Sequence, residues 1–139
     1  MQKIILDTNV IVSALISKSH PYRILYNYVF ARKVILCISD EIIEEYIEVL
    51  NRDKFKKNLN FKNNAEVVLN KLIEISVSYT PTEKILIISD LKDNKFLELA
   101  KESNAGFLIT GNHKDFDFEL FENTKVVSSG LYVEKYKPE

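Results

Sequence analysis

Four acidic residues are candidates for the ligands of a metal site: Asp7, Glu45, Asp93 and Asp115. Carboxylates packed together raise one another's pKa unless a cation neutralises them. Oxygen ligands favour Mg²⁺ or Mn²⁺ over zinc, and Cys37, His20 and His113 do not have the spacing of a zinc site. If the acids meet, we expect a hard divalent ion that activates water for attack on a phosphodiester and stabilises its charge.

Asp7 stands where the apolar pattern of the sequence changes. It follows KIIL, which predicts a short buried strand, and precedes VIVSAL, whose apolar residues recur at helical spacing. Asp7 is therefore expected at the carboxyl end of a strand, where open α/β sheets bind ligands. A helix N-cap is an equally good interpretation of this aspartate alone. Asn9 is equally well explained as a local turn former.

Glu45 lies in the segment SDEIIEEYIEVLNRD, which predicts a helix with Ser39 as its N-cap. At about 100° per residue, Glu45 falls on the flank of the apolar face, so it can lean into a cleft beside the core. The other three glutamates point away from that face: Glu41, Glu44 and Glu48. Taken alone, Glu45 is still more typical of a solvated surface charge.

Asp90 and Asp93 both precede the helical pattern of SDLKDNKFLELA, and either can cap that helix. Helical spacing places Asp93 on the side of the apolar Phe96 and Leu97. A solvated cap does not require that placement, so Asp93 is the stronger candidate for a site residue.

A polar loop, TGNHKDF, follows the predicted strand FLIT. It offers Thr110, Asn112 and Asp115 at the carboxyl end of another strand. A plain turn is the alternative interpretation of this loop. His113 either contacts substrate or is an ordinary loop residue, and we favour the second.

The fold that positions these residues is predicted to be α/β. The chain has 139 residues, 46% of them hydrophobic, and no linker-like change in composition, which predicts one domain over residues 1–139. Strands alternate with helices, and this pattern predicts a parallel sheet covered on both faces. VSYT and ILII are expected to be short strands or extended segments. The four acids then meet at one edge of the sheet.

Charge and hydropathy restrict the partners and the location. The net charge is −1, so contact with nucleic acid requires a local basic patch. No apolar run approaches the length of about 20 residues that a membrane span needs, and the N-terminus lacks the flanks of a signal peptide. These features predict a cytoplasmic protein that does not enter a membrane. The basic residues that can contact phosphate are Arg52, Lys54, Lys56, Lys57, Lys62, Lys92, Lys95 and Lys114.

Three segments in order resemble the PIN-domain ribonucleases: LDTNVIVSAL, SDEIIEEYIEVLNRDKF and SDLKDNKFLELAKESNAGFLITGNHKDF. Each segment alone is weakly specific, whereas the ordered set over residues 6–116 is specific. Within the family, the chain is most similar to toxin components of type II toxin–antitoxin pairs. The resemblance implies a three-layer α/β/α fold with a central parallel sheet, Mg²⁺- or Mn²⁺-dependent cleavage of single-stranded RNA, and a homodimer silenced by an antitoxin protein.

The resemblance also implies roles for individual residues. The metal-binding acids of the family fall on Asp7, Glu45 and Asp93, and Asp90 matches an accessory acid. Many members carry an acid directly after Thr-Gly, where this chain has Asn112, so Asp115 is implied as the fourth carboxylate. The positions that support the ligands are matched by Thr8, Asn9 and Thr110. Asn112 leaves open a PIN fold that no longer cleaves RNA and serves as a binding module.

The implied antitoxin is expected near the helices of residues 21–32 and 39–52. The first of these segments carries more aromatic side chains than one buried helix face needs, among them Tyr22, Tyr26 and Phe30. Core packing or a dimer surface is the alternative explanation for them.

Two other classes of protein fit less well. A receiver-like regulatory domain needs paired acids after its first strand and an acceptor aspartate after a middle strand, but KIILD offers one acid and VILCIS ends without an acceptor. A phosphatase of the haloacid dehalogenase type opens with two aspartates, and Asn9 replaces the second of them, which removes the general acid.

Overall fold

A six-stranded sheet forms the centre of the protein in the computed structural model, which describes residues 1–139. Its strands are β1 (Lys3–Leu6), β2 (Ile35–Ile38), β3 (Val77–Ser78), β4 (Phe107–Ile109), β5 (Leu120–Phe121) and β6 (Thr124–Val127). They lie in the order β3-β2-β1-β4-β6-β5, and every neighbouring pair is parallel except β5 and β6. The architecture is the three-layer α/β/α fold, as predicted.

The helices connect these strands. They are α1 (Thr8–Ile16), α2 (His20–Arg23, continued by a π-helix at Ile24–Val29), α3 (Asp40–Leu50), α4 (Asp53–Lys56), α5 (Leu59–Ile75), α6 (Asn94–Ser103, preceded by a 3₁₀ turn at Leu91–Asp93) and α7 (Ser129–Leu131, continued by a π-helix at Tyr132–Tyr136). None of them has both the length and the apolar character that crossing a membrane requires.

The centre of the sheet is fully buried. Ile4, Ile5 and Leu6 of β1 have no solvent exposure, because β1 lies between two parallel neighbours and is covered on both faces. This burial accounts for the continuous apolar run KIIL in place of an alternating pattern. Cys37 of β2 is a free, buried core residue.

Local signals in the sequence fix the start of α3 and the end of α6. The Ser39 hydroxyl accepts a hydrogen bond from the Ile42 N–H at the start of α3, which confirms the predicted N-cap. Helix α6 ends at Asn104, whose φ of 55° is in the left-handed region that asparagine tolerates.

The segment ILII, residues 85–88, does not form a strand. Its amides are bonded to side chains of α6 in place of a neighbouring strand. The Asn94 Oδ1 accepts from the N–H groups of Ile87 (3.2 Å) and Ile88 (2.8 Å), and the Glu98 carboxylate accepts from the Ile85 N–H (3.0 Å). These contacts hold the segment against the start of α6, next to Asp90 and Asp93.

Candidate metal centre

Asp7 and Thr110 meet because β1 and β4 are paired. Leu6 is in register with Ile109, and the Asp7 N–H donates to the Ile109 carbonyl at 3.0 Å. The Thr110 hydroxyl then donates to Asp7 Oδ2 at 2.6 Å, and both residues are buried. Asp7 occupies the N-cap position of α1, yet its side chain makes no capping hydrogen bond. The Thr110 hydroxyl therefore orients its carboxylate.

Helix α3 brings Glu45 to Asp7. The buried Tyr46 donates its hydroxyl proton to the Leu6 carbonyl at the end of β1, which fixes the adjacent turn of α3 beside that strand. The Thr8 hydroxyl donates to Glu45 Oε2, and the Lys95 Nζ lies 2.6 Å from Glu45 Oε1. Both oxygens of Glu45 are therefore engaged by protein groups.

A second set of acids gathers around Asn112. One carboxylate oxygen from each of Asp90, Asp93 and Asp115 lies within 4.8 Å of the others. The Asn112 side-chain amide donates to Asp115 Oδ2 at 3.0 Å and, over a longer distance of 3.4 Å, to Asp93 Oδ2. The Asn112 backbone N–H donates to the Thr110 hydroxyl at 2.9 Å. Thr110 thus connects this set to Asp7.

Electrostatic repulsion links the two sets of acids. Burial is the main cause of the raised pKa of Asp7, and the Glu45 charge raises it further against the hydrogen bond from Thr110. Burial, the charge of Asp7, the contact with Asp115 and the charge of Asp90 raise the pKa of Asp93 to about 7. Negative charge at this edge of the sheet is therefore incompletely compensated by protein groups.

The donor set fits a hard divalent ion. It consists of carboxylate oxygens, the ligands that Mg²⁺ and Mn²⁺ prefer. Two ligand atoms on opposite sides of Mg²⁺ are about 4.2 Å apart, given bonds of about 2.1 Å. Neighbouring ligand atoms on the same ion are closer, about 3.0 Å apart, so the acid oxygens of Asp90, Asp93 and Asp115, within 4.8 Å of one another, have to move closer together to share one ion.

The predicted site residues differ in how close they lie to one another. Asp7, Glu45, Asp93 and Asp115 lie at one edge of the sheet, with Thr8 and Thr110 as donors to the first two. The oxygens within reach of a single ion come from Asp93, Asp115 and the accessory Asp90. Asn9 is exposed, and its side chain has no hydrogen bond to any of these acids.

Two contacts of the site are not apparent from the sequence alone. The sequence pattern predicts Tyr46 to be a core residue of α3, and it does not distinguish Lys95 from the other basic residues. Their partners, Leu6 and Glu45, belong to other elements, so no spacing along the chain connects them.

A model of the PIN domain matches residues 3–114 of the chain. The chain belongs to the PIN-domain family. The matched region contains Asp7, Glu45, Asp90 and Asp93, and it ends one residue before Asp115.

Two known proteins are similar to this PIN domain. The uncharacterized protein MJ1680 of Methanocaldococcus jannaschii is 33% identical over 111 residues, which cover 79% of this chain and 70% of that protein. A chain in the crystal structure of VapBC2 from Rickettsia felis, bound to a DNA fragment from their promoter, superposes with a TM-score of 0.61 at 21% identity. That match covers 91% of this chain and 98% of the other, and it shows a shared fold.

Proposed function

We propose that this PIN domain is a Mg²⁺- or Mn²⁺-dependent endoribonuclease that cleaves single-stranded RNA. One observation carries the proposal: three carboxylates, Asp90, Asp93 and Asp115, lie within 4.8 Å of one another, and none of them is in an ion pair with a basic side chain. Such a cluster is stabilised by a divalent cation, and membership of the PIN-domain family gives that cation a catalytic use.

The acids hold the ion in this proposal. Asp93 and Asp115 bind it, Asp90 is an accessory ligand, and Asp7 and Glu45 bind it directly or through water. When bound, the ion activates water and stabilises negative charge on the phosphodiester.

The donors around the acids orient them for binding. Thr110 holds the carboxylate of Asp7 and Thr8 holds that of Glu45, while the Asn112 amide sets the separation of Asp93 from Asp115. Because each of these bonds exists without the ion, the ligands lose little conformational freedom when it binds.

The proposal extends to the biological setting. We place the chain among the toxins of type II toxin–antitoxin pairs, as a cytoplasmic homodimer of single-domain subunits, each comprising residues 1–139, silenced by a protein antitoxin. The ordered segments of the sequence support this assignment, and so does the fold shared with the VapBC2 chain.

Cleavage of a labelled single-stranded RNA tests the function. The parent protein is compared with Asp93→Asn and with the matched control Asp117→Asn, which removes an exposed aspartate outside the cluster. We expect cleavage by the parent and the control in Mn²⁺, none in EDTA, and a loss of at least about 100-fold in Asp93→Asn. Equal cleavage by Asp93→Asn and the parent would refute the assignment.

A second candidate function is a binding module that has lost cleavage. Asn112 favours it, because an amide rather than a carboxylate follows Thr-Gly and donates to both Asp93 and Asp115. Mn²⁺ binding without cleavage of any RNA, with activity gained in Asn112→Asp, would support this alternative.

A further inference from the structure

Lys95 is the one basic residue in an ion pair with an acid of the candidate metal centre. The structure contains five ion-pair contacts, and only Lys95–Glu45, at 2.6 Å, involves such an acid. The two side chains are 16% and 19% exposed, so water screens this pair much less than the exposed pairs. Their contact is therefore a defined part of the centre.

The pair has a consequence for metal binding. Glu45 receives the Thr8 hydroxyl on one oxygen and the Lys95 ammonium on the other. A divalent ion that approaches Glu45 has to displace the ammonium or share the oxygen with it. Lys95 thus acts as a resident cation on Glu45 while the metal is absent.

Lys95 is also close to where a substrate phosphate has to lie. It is in the first turn of α6, two residues after Asp93, and it contacts Glu45 of α3. A phosphate bound to an ion held by these acids lies within a few ångströms of the ligand oxygens, because metal–oxygen bonds are about 2.1 Å long. The Lys95 ammonium can reach it by a rotation of its own flexible stem.

The side chain of Lys95 is not packed tightly on every side. A cavity of about 260 Å³ adjoins it, lined mainly by polar groups that include Ser39, Thr80 and Glu98. None of the acids of the candidate metal centre lines this cavity, so it gives the stem of Lys95 room to move on that side without a rearrangement of the core.

We propose that Lys95 is a substrate-binding residue: its ammonium neutralises Glu45 in the metal-free protein and turns to the scissile phosphate when a divalent ion takes Glu45. This inference rests on the proposed metal-dependent ribonuclease function. The exchange breaks no covalent bond and moves no proton. One cation replaces another on the carboxylate, and the released ammonium pairs with the phosphate that enters with the RNA.

The test compares Lys95→Gln with Lys101→Gln, a matched control from the same helix. Lys101 pairs with Glu83 at 2.7 Å and with Glu122 at 3.6 Å, away from the acids of the centre. Mn²⁺ affinity is measured by titration calorimetry without RNA. We expect Lys95→Gln to bind Mn²⁺ about three- to tenfold more tightly than the parent, because the competing charge is gone, and Lys101→Gln to bind as the parent does.

Glu45→Gln and the double variant Glu45→Gln/Lys95→Gln show whether the effect passes through Glu45. The gain in Mn²⁺ affinity should vanish in the Glu45→Gln background. A gain of equal size in both backgrounds would show that Lys95 does not compete with Mn²⁺ for Glu45. A Lys95→Gln variant with the Mn²⁺ affinity of the parent would show the same.

RNA cleavage at saturating Mn²⁺ tests the contact with phosphate. We expect kcat of Lys95→Gln to fall about 10- to 100-fold despite tighter metal binding, and Lys95→Arg, which keeps the charge, to recover most of it. Full activity in Lys95→Gln would overturn the inference while leaving the proposed function intact. A parent protein that neither binds Mn²⁺ nor cleaves RNA would refute both.

Discussion

The Thr110 hydroxyl donates a 2.6 Å hydrogen bond to the Asp7 carboxylate across the paired central strands β1 and β4. The same hydroxyl accepts the Asn112 N–H at 2.9 Å, so one buried side chain joins Asp7 to the loop that carries Asp115. The two halves of the acid cluster are consequently positioned by strand pairing as well as by their own loops.

Replacing Thr110 with valine tests this connection. Thr110 is fully buried, so Thr110→Val keeps the shape but removes the donor to Asp7 and the acceptor for Asn112. We expect a loss of about 1–3 kcal/mol in the free energy of unfolding, measured by urea denaturation. Thr80→Val, at an exposed threonine whose side chain has no hydrogen bond, is the control and should change stability by less than about 0.5 kcal/mol. Equal stability of the two variants would contradict the role of Thr110.

The raised pKa of Asp93 predicts an unusual pH dependence in the metal-free protein. A carboxyl group with a higher pKa in the folded state than in the unfolded state binds its proton more tightly when folded, so its contribution to stability falls as pH rises. For Asp93 this fall spans the interval from the ordinary value of 3.8 to about 7. The raised pKa of Asp7 contributes in the same direction.

Melting temperatures between pH 4 and pH 7.5, measured in EDTA, check the sign. Asp93→Asn should flatten the decline, and Asp117→Asn should leave it as in the parent. Mn²⁺ should raise the melting temperature of the parent most near neutral pH, where the free carboxylates bind it best. If the melting temperature of Asp93→Asn falls with rising pH as much as that of the parent, Asp93 is not the cause of this pH dependence.

Asn94 is expected to be essential for the segment that carries Asp90 and Asp93. It is 2% exposed, and its side chain exchanges hydrogen bonds with the backbone of Ile87 and Ile88. Asn94→Ala leaves those backbone groups without partners, so we expect a loss of about 2–3 kcal/mol in stability and weaker Mn²⁺ binding. The matched control is Asn123→Ala, whose exposed amide bonds only to the Asn104 side chain. Parent-like stability and Mn²⁺ affinity in Asn94→Ala would contradict this account.

The sequence was sufficient for the elements whose signals are local. The run KIIL before Asp7 predicts the buried strand β1, and Ser39 predicts the start of α3; each signal lies within a few residues of the element that it predicts. The family resemblance rests on three segments in order along the chain, and the PIN-domain match over residues 3–114 confirms the family.

The remaining features depend on contacts between distant parts of the chain. Residues 85–88 were expected to form a short strand or an extended segment. The structure has no strand there, because Asn94 and Glu98 of α6 accept hydrogen bonds from amides of this segment. The ion pair of Lys95 with Glu45 joins α6 to α3, and α4, α5 and β3 lie between these two helices in the chain. The helical segment that begins at Ser129 packs on the sheet through Tyr132, and its short apolar pattern gives a weak local signal.

The most direct test of a metal-dependent ribonuclease is the rate of RNA cleavage measured against Mn²⁺ concentration for the parent and Asp93→Asn. We expect a saturating curve for the parent, with a midpoint that matches the Mn²⁺ dissociation constant from calorimetry, and a flat baseline for Asp93→Asn. Cleavage that continues in EDTA, or a curve for Asp93→Asn that matches that of the parent, would contradict it.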